Sequence, residues 1–231
     1  MDPAPRHATH VVVRAFNEAS TLGDVLGELL AAGHTVIVVD DGSSDATTSI
    51  AGSLPVRLVR HRVNLGPGAA FQTGLVAALA AGAERIVTFD ADGQHSVGDI
   101  ERVVEPIVAG RADAVFGSRF LRAEDRRLVP LQRRFLLRGA VAVNALFAGR
   151  WLTDAHNGLR AFSAEVARGI EIEETGFAYA SELLARIVER RWRLVEVPVS
   201  IRYTERSMAK GQKSWNAINV VLDLLGGRSP R

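Results

Sequence analysis

Cysteine is absent from this 231-residue chain. That excludes a disulfide scaffold, thiol catalysis and any zinc or iron–sulfur site ligated by cysteine. It also removes the usual mark of a secreted protein, so the expected location is a reducing cytoplasm. Long apolar runs are missing as well. No stretch approaches the ~20 residues that a membrane-spanning helix needs. The polar, proline-containing start, Met1 to His10, has no apolar core of the signal-peptide type. A strong charge of one sign is lacking too: 28 basic residues face 26 acidic ones. That balance is too even for an obligate nucleic-acid binder, although a pI near 9.5 leaves room for local basic patches. Lysine is scarce. Only Lys210 and Lys213 are present, and the other 26 basic residues are arginine.

What remains is ordinary globular material, 47% hydrophobic and 23% charged, enough for one domain with a sizeable core. The first half alternates. Strands are expected at His10–Arg14, Thr35–Val39, Val56–Arg60, Arg85–Phe89 and Ala112–Phe116. Helices are expected at Ser20–Ala32, Asp45–Ala51, Gly66–Ala81 and Val97–Val108. Continuous apolar strands between helices call for a mostly parallel sheet with helices on both faces. The second half is less regular. It reads as helices at Pro130–Ala148, Ala178–Arg191 and Trp215–Leu225, a loop entering a short strand over Asp154–Phe162, and an extended Leu194–Tyr203 whose Pro198 points to a sheet edge.

In such sheets ligands bind beyond the carboxyl ends of the strands. Polar clusters sit at those ends: Asn17-Glu18, Asp40-Asp41, Asn64, Asp90-Ala91-Asp92 and Ser118-Arg119. The two carboxylates of Asp90-Ala91-Asp92 are two positions apart, and a turn there brings both onto one cation. Hard oxygen ligands suit Mg²⁺ or Mn²⁺, and Gln94 adds an amide oxygen. The same residues also suit an acidic turn with Asp92 capping a helix, and Asp40 suits a cap for the helix near Asp45. The glycines of Asn64-Leu-Gly-Pro-Gly-Ala-Ala-Phe-Gln-Thr-Gly74 open a helix. They lack the spacing of a P-loop or a dinucleotide site, so close helix–strand packing is the preferred reading over phosphate binding.

Six segments in order resemble the inverting glycosyltransferases of family 2, which have the nucleotide-sugar-binding GT-A fold. They are Val11-Val-Val-Arg-Ala-Phe-Asn-Glu18, Val38-Val-Asp-Asp-Gly-Ser-Ser-Asp45, Asn64-Leu-Gly-Pro-Gly-Ala-Ala70, Phe89-Asp-Ala-Asp-Gly-Gln-His95, Gly117-Ser-Arg-Phe120 and Asp154-Ala-His-Asn-Gly-Leu-Arg-Ala-Phe162. Within that family the chain looks most like the dolichyl- and polyprenyl-phosphate sugar synthases.

The resemblance implies a GT-A domain over residues 10–231, after a flexible 1–9, with a nucleotide-sugar half (10–120) and an acceptor half (121–231). It implies that Ala15, Phe16 and Glu18 lie against the nucleotide. Val39 and Ala91 belong to the same site, and Asp41 bonds the base. Asp90, Asp92 and Gln94 hold Mg²⁺ or Mn²⁺ on the diphosphate. Arg119 lies near an acceptor phosphate, with Arg133 or Arg134 as a second contact. Lys213 or Arg206 closes over the diphosphate.

Asp154 sits where relatives that glycosylate a hydroxyl place a general base. A phosphate acceptor, already anionic, needs none. The expected activity is therefore transfer of a sugar from a UDP- or GDP-sugar to a polyprenyl phosphate, with Asp92, Asp154 and Arg119 as the catalytic set. The expected setting is the inner membrane surface, with no nucleic acid involved. The alternatives are a glycan hydroxyl acceptor with Asp154 as base, a nucleotidyltransferase, and a nucleotide-sugar-binding protein without turnover. Three departures from the family pattern stand out: Arg14 where many relatives have proline, His156-Asn157 before Gly158, and no membrane helix after residue 225. Glu182 is either near the site or on the surface, and His95 and His156 read as loop residues.

Overall fold

The computed structural model describes residues 8–121, 152–154 and 157–202. The expected helices at 130–148 and 215–225 lie outside these residues. So do Arg133, Arg134, Arg206, Lys210, Lys213 and His156.

The described chain runs β1 (Thr9–Ala15), α1 (Leu22–Ala31), β2 (Thr35–Asp40), α2 (Thr47–Gly52), β3 (Arg57–Arg60), α3 (Pro67–Ala80) and β4 (Arg85–Asp90). A 3-10 turn (Val97–Asp99) leads into α4 (Ile100–Val108) and β5 (Ala114–Ser118). Then come β6 (Arg160–Ser163), α5 (Ala164–Gly169), α6 (Tyr179–Glu189) and β7 (Leu194–Pro198). The sequence pattern anticipates each of these strands and helices except the short α5, which is too brief to show a helical period.

Seven strands form one sheet in the order β3-β2-β1-β4-β6-β5-β7. The β3-β2-β1-β4 half is parallel throughout. β6 lies between β4 and β5 and runs antiparallel to both. β7 is the edge strand beside β5, as Pro198 suggested.

Alternating side chains of each strand serve two cores. Val12 of β1 faces Phe71, Leu75 and Leu183 on the α3 and α6 side. Val11 and Val13 face Leu22, Leu26 and Val103 on the α1 and α4 side. Gly74 of α3 lets the helix lie directly on the sheet: a Cβ there would stand 2.3 Å from Val12 Cγ1. That is the close helix–strand packing expected for this glycine. Gly66 and Gly68 meet a different neighbour, since a Cβ on either would reach the carbonyl oxygens of Thr175 and Glu174, at 2.3 and 1.9 Å. Gly66 also holds φ at +98°, which a side chain would strain.

Strand order reverses between β1 and β4, where chain connections lead away on both sides. This is the switch point at which open α/β sheets bind ligands.

Candidate active site

A cleft of about 610 Å³ opens at that switch point. Five strand ends and α6 supply its walls: Ala15, Phe16 and Glu18 after β1, Asp41 after β2, Asn64 after β3, Asp90 to Asp92 after β4, Arg160 on β6 and Tyr179 on α6. Residues distant in sequence converge because parallel strands end on the same rim.

The two acidic residues at the end of β2 are bonded within the protein. Asp40 is wholly buried; its carboxylate accepts the Ser43 N–H at 2.9 Å and the Thr48 hydroxyl. It therefore ties the loop before α2 together instead of capping the first turn. The first-turn backbone N–H contact comes from Asp45, which accepts the Thr47 N–H at 2.9 Å. Asp41 accepts the Leu65 and Gly66 N–H groups, both at 2.9 Å, and lies 2.7 Å from His61 Nδ1. The other His61 ring nitrogen is 3.0 Å from the Thr73 hydroxyl. Asp41 thus fastens the loop after β3 to the rim while still lining the cleft.

The acidic residues at the end of β4 differ. Asp90 is the cross-strand neighbour of Arg14 in the β1–β4 register. Its Oδ1 accepts from Arg14 at 2.5 Å, and its Oδ2 lies 3.2 Å from His95 Nε2. Arg14 also donates to the Tyr179 hydroxyl at 2.5 Å. The approach is close enough that a Cβ at position 158 would stand 1.8 Å from Asp90 Oδ2, so any side chain there would have to displace the Asp90 carboxylate. Burial alone would raise the Asp90 carboxyl, but the Arg14 guanidinium and His95 together hold it well below the usual carboxylate range. Asp92 has a different surrounding. Its Oδ1 accepts the Gln94 N–H at 3.0 Å, and it forms no ion pair among the described residues. Burial, then the charge on Asp90, push its carboxyl up, and Glu18 adds to the effect. A half-buried carboxylate beside other acidic groups favours a cation from outside.

Beneath the cleft lies Arg160, 1% exposed, its guanidinium carbon 4.6 Å from the Phe116 ring centroid. Its Nε donates to the Asn157 carbonyl at 2.9 Å. Burial lowers its pKa.

Against this geometry, comparison with known proteins is direct. The sequence profile described as Glycosyl transferase family 2 matches residues 10–170. The chain is 32% identical over 222 residues to a UDP-N-acetylglucosamine–dolichyl-phosphate N-acetylglucosaminyltransferase of Methanococcus voltae, covering 87% of this chain and 88% of that one. It is 32% identical over 231 residues to a polyprenol monophosphomannose synthase of Mycolicibacterium smegmatis, covering 94% and 86%. The chain belongs to glycosyltransferase family 2. Among solved structures it is similar to glucosyl-3-phosphoglycerate synthase from Mycobacterium tuberculosis in complex with Mn²⁺, uridine diphosphate and glucosyl-3-phosphoglycerate. That likeness has a TM-score of 0.64 at 20% identity, and it covers 96% of this chain and 81% of that one. The fold is GT-A.

Of the residues expected to meet the nucleotide sugar in this family 2 enzyme, Ala15, Phe16, Glu18, Asp41, Asp90, Ala91 and Asp92 all line the one cleft. Val39 does not. It is wholly buried in the core facing Gly74, because its position in β2 points it into the sheet–α3 interface. Gln94 follows the turn, its N–H on Asp92 and its carbonyl accepting from Arg202. Arg119 and Asp154 are brought together beyond the end of β5. The Arg119 guanidinium grips the Asp154 carboxylate with two bonds, at 2.6 and 2.8 Å, and its own N–H adds a third at 3.1 Å. The Asp154 side chain is fully buried, and Glu196 of β7 holds the segment by accepting the Thr153 and Asp154 N–H groups. Glu182 caps the loop before α6 by accepting the Glu173 and Glu174 N–H groups, and it does not line the cleft.

In sequence, Arg14 stands out only as a departure from the family pattern, His95 reads as a loop residue, and nothing singles out His61, Arg160 or Tyr179. One signal was visible: an arginine inside the apolar run Val11–Ala15 has to be buried with a partner. The identity of the partner was not visible, since it depends on strand register.

Proposed function

We propose that this enzyme moves a sugar from a UDP- or GDP-sugar to a polyprenyl phosphate, with inversion at the anomeric carbon. The observation that carries the choice of acceptor is the Arg119–Asp154 pair. A hydroxyl acceptor needs a general base within reach, with a lone pair open to the incoming proton. Asp154 is instead buried and gripped by a bidentate guanidinium. A phosphate acceptor needs no proton removed. The relatives named for dolichyl-phosphate and polyprenol-phosphate chemistry support the same reading.

The cleft accounts for the donor. Asp41, fastened by two backbone N–H groups and His61, presents a fixed carboxylate toward a base N–H. Phe16, 46% exposed at the mouth, would meet the base with its ring face, and Glu18, lining the same cleft, would accept from ribose hydroxyls. Asp92 would hold a divalent cation, with the Gln94 amide oxygen as a further donor. The crowding of negative charge around Asp92 fits such a group. Mg²⁺ or Mn²⁺ bound there supplies Lewis-acid stabilisation of the departing diphosphate.

The protein holds donor and acceptor in line. An acceptor phosphate oxygen forms the new bond to the anomeric carbon as the bond to the diphosphate breaks, and the electron pair leaves with the nucleoside diphosphate. No helix among the described residues is long and apolar enough to cross a membrane. We assign the enzyme to the cytoplasmic membrane surface, where it meets a lipid acceptor peripherally.

The test is transfer of labelled sugar from a panel of UDP- and GDP-sugars to polyprenyl phosphate, with Mg²⁺ or Mn²⁺. Organic-extractable label that disappears in Asp92→Asn is the expected result. Absence of lipid label, with nucleotide released when glycans are added, would overturn the acceptor in favour of a hydroxyl.

A further inference from the structure

We propose that Arg14 is a positioning residue built into the donor site: it holds Asp90 as its own counter-ion and so leaves Asp92 as the carboxylate that binds the divalent cation. The proposal deepens the reading above and rests on a cation binding at Asp92.

Four observations converge. Arg14 and Asp90 are register partners across β1 and β4, so their contact is set by the sheet and not by a mobile surface pairing. The Arg14 side chain is 11% exposed, which means that its charge has to be compensated on the spot. Both Asp90 oxygens have partners, Oδ1 with Arg14 and Oδ2 with His95, and Gly158 packs against the same carboxylate. The far side of Arg14 is pinned by the Tyr179 hydroxyl, with the Tyr179 ring centroid 5.5 Å from the guanidinium carbon. Asp90 therefore reaches a cation only by giving up a buried ion pair. Asp92 gives up nothing of that kind among the described residues, where its hydrogen-bond partner is the nearby Gln94 N–H. The two carboxylates of the Asp-x-Asp segment have different tasks. One is matched to an internal guanidinium that links β1, β4 and α6, and the other is open to a metal ion. Arg14 also places a fixed positive charge on the floor of the cleft where a diphosphate would lie.

The experiment is Mn²⁺ binding followed by electron paramagnetic resonance, with UDP or GDP at saturation, on the full chain. In Arg14→Met the freed Asp90 joins the ion, and Mn²⁺ binds more tightly by ~5-fold or more. Adding Asp90→Asn to Arg14→Met removes that gain, and Arg14→Lys, which keeps the charge, retains the wild-type affinity. Unchanged Mn²⁺ affinity in Arg14→Met, or a gain that survives Asp90→Asn, overturns the proposal. Should Arg14→Met fail to fold, the wild-type complex with Mn²⁺ and nucleotide decides. A crystal in which Asp90 stays on Arg14 supports it, and an Asp90 oxygen at bonding distance from the ion overturns it. Loss of Mn²⁺ binding in Asp92→Asn is expected. Wild-type protein that binds no Mn²⁺ at all fails the cation reading itself, whereas equal bonding of Asp90 and Asp92 fails only the role given to Arg14.

Discussion

Two acidic strand ends that look alike in sequence behave differently in the fold. At the end of β2, Asp40 and Asp41 have their oxygens bonded to backbone N–H groups, a threonine hydroxyl and His61. At the end of β4, Asp90 is matched by Arg14 and His95, and Asp92 accepts a neighbouring N–H and is surrounded by negative charge. The first pair builds the rim of the cleft. The second pair includes a carboxylate, Asp92, that forms no ion pair among the described residues. An acidic motif therefore marks a region, and the local count of donors tells which oxygen is open to a ligand.

The sharpest way to break this contrast is to exchange the open carboxylate. Asp92→Asn should lower transfer by ~100-fold or more, since metal stabilisation of a leaving group contributes several kcal/mol. Its stability should be unchanged or higher by up to ~1 kcal/mol, because removing a half-buried charge next to Asp90 relieves repulsion. Transfer assays and urea unfolding on the same preparations check both. Asp41→Ala should instead lose stability together with nucleotide binding. Three donors lose their acceptor there, and unfolding free energy should fall by ~2–4 kcal/mol. An Asp41→Ala protein as stable as wild type would show that the β2 end is not the structural member of the pair.

Gly158→Ala probes the contact between the two halves of the sheet. Its Cβ would stand 1.8 Å from Asp90 Oδ2, and the overpacking should destabilise the fold by ~1–3 kcal/mol. Circular-dichroism melting reads this directly. The weakest effect is expected for a matched carboxylate at the surface. Asp113 accepts from Arg193 at 2.6 and 3.0 Å, and these hydrogen bonds hold its carboxyl below the ordinary range. A depressed carboxyl stabilises the fold above its unfolded pKa of about 3.9, and that contribution is lost as pH falls below it. Wild type should therefore exceed Asp113→Asn slightly in urea midpoint at neutral pH, and the two should converge as the pH falls through the lowered folded-state pKa.

Much of this was legible in the chain itself. Apolar β-branched runs separated by helical periods define β1 to β5, and the polar residues following each strand define the rim. Asp41, Asp90, Asp92, Phe16 and Glu18 meet in one cleft because all parallel strands end at the same side, a consequence that needs no side-chain detail. Val39 shows the limit of segment matching. It belongs to the right strand end, but the period of two turns its side chain into the core.

The remaining assignments depended on contacts between strands distant in sequence. The alternating pattern determined that a mostly parallel α/β sheet would gather these carboxylates, because hydrophobic period and turn chemistry act locally. Partner choice was settled by register and by the insertion of antiparallel β6 between β4 and β5. That insertion brings Gly158 and Arg160 under Asp90, and the β1–β4 register sets Arg14 beside it. A buried charge takes whichever counter-charge the packed fold places within ångströms of it, and this distance is a property of the three-dimensional arrangement.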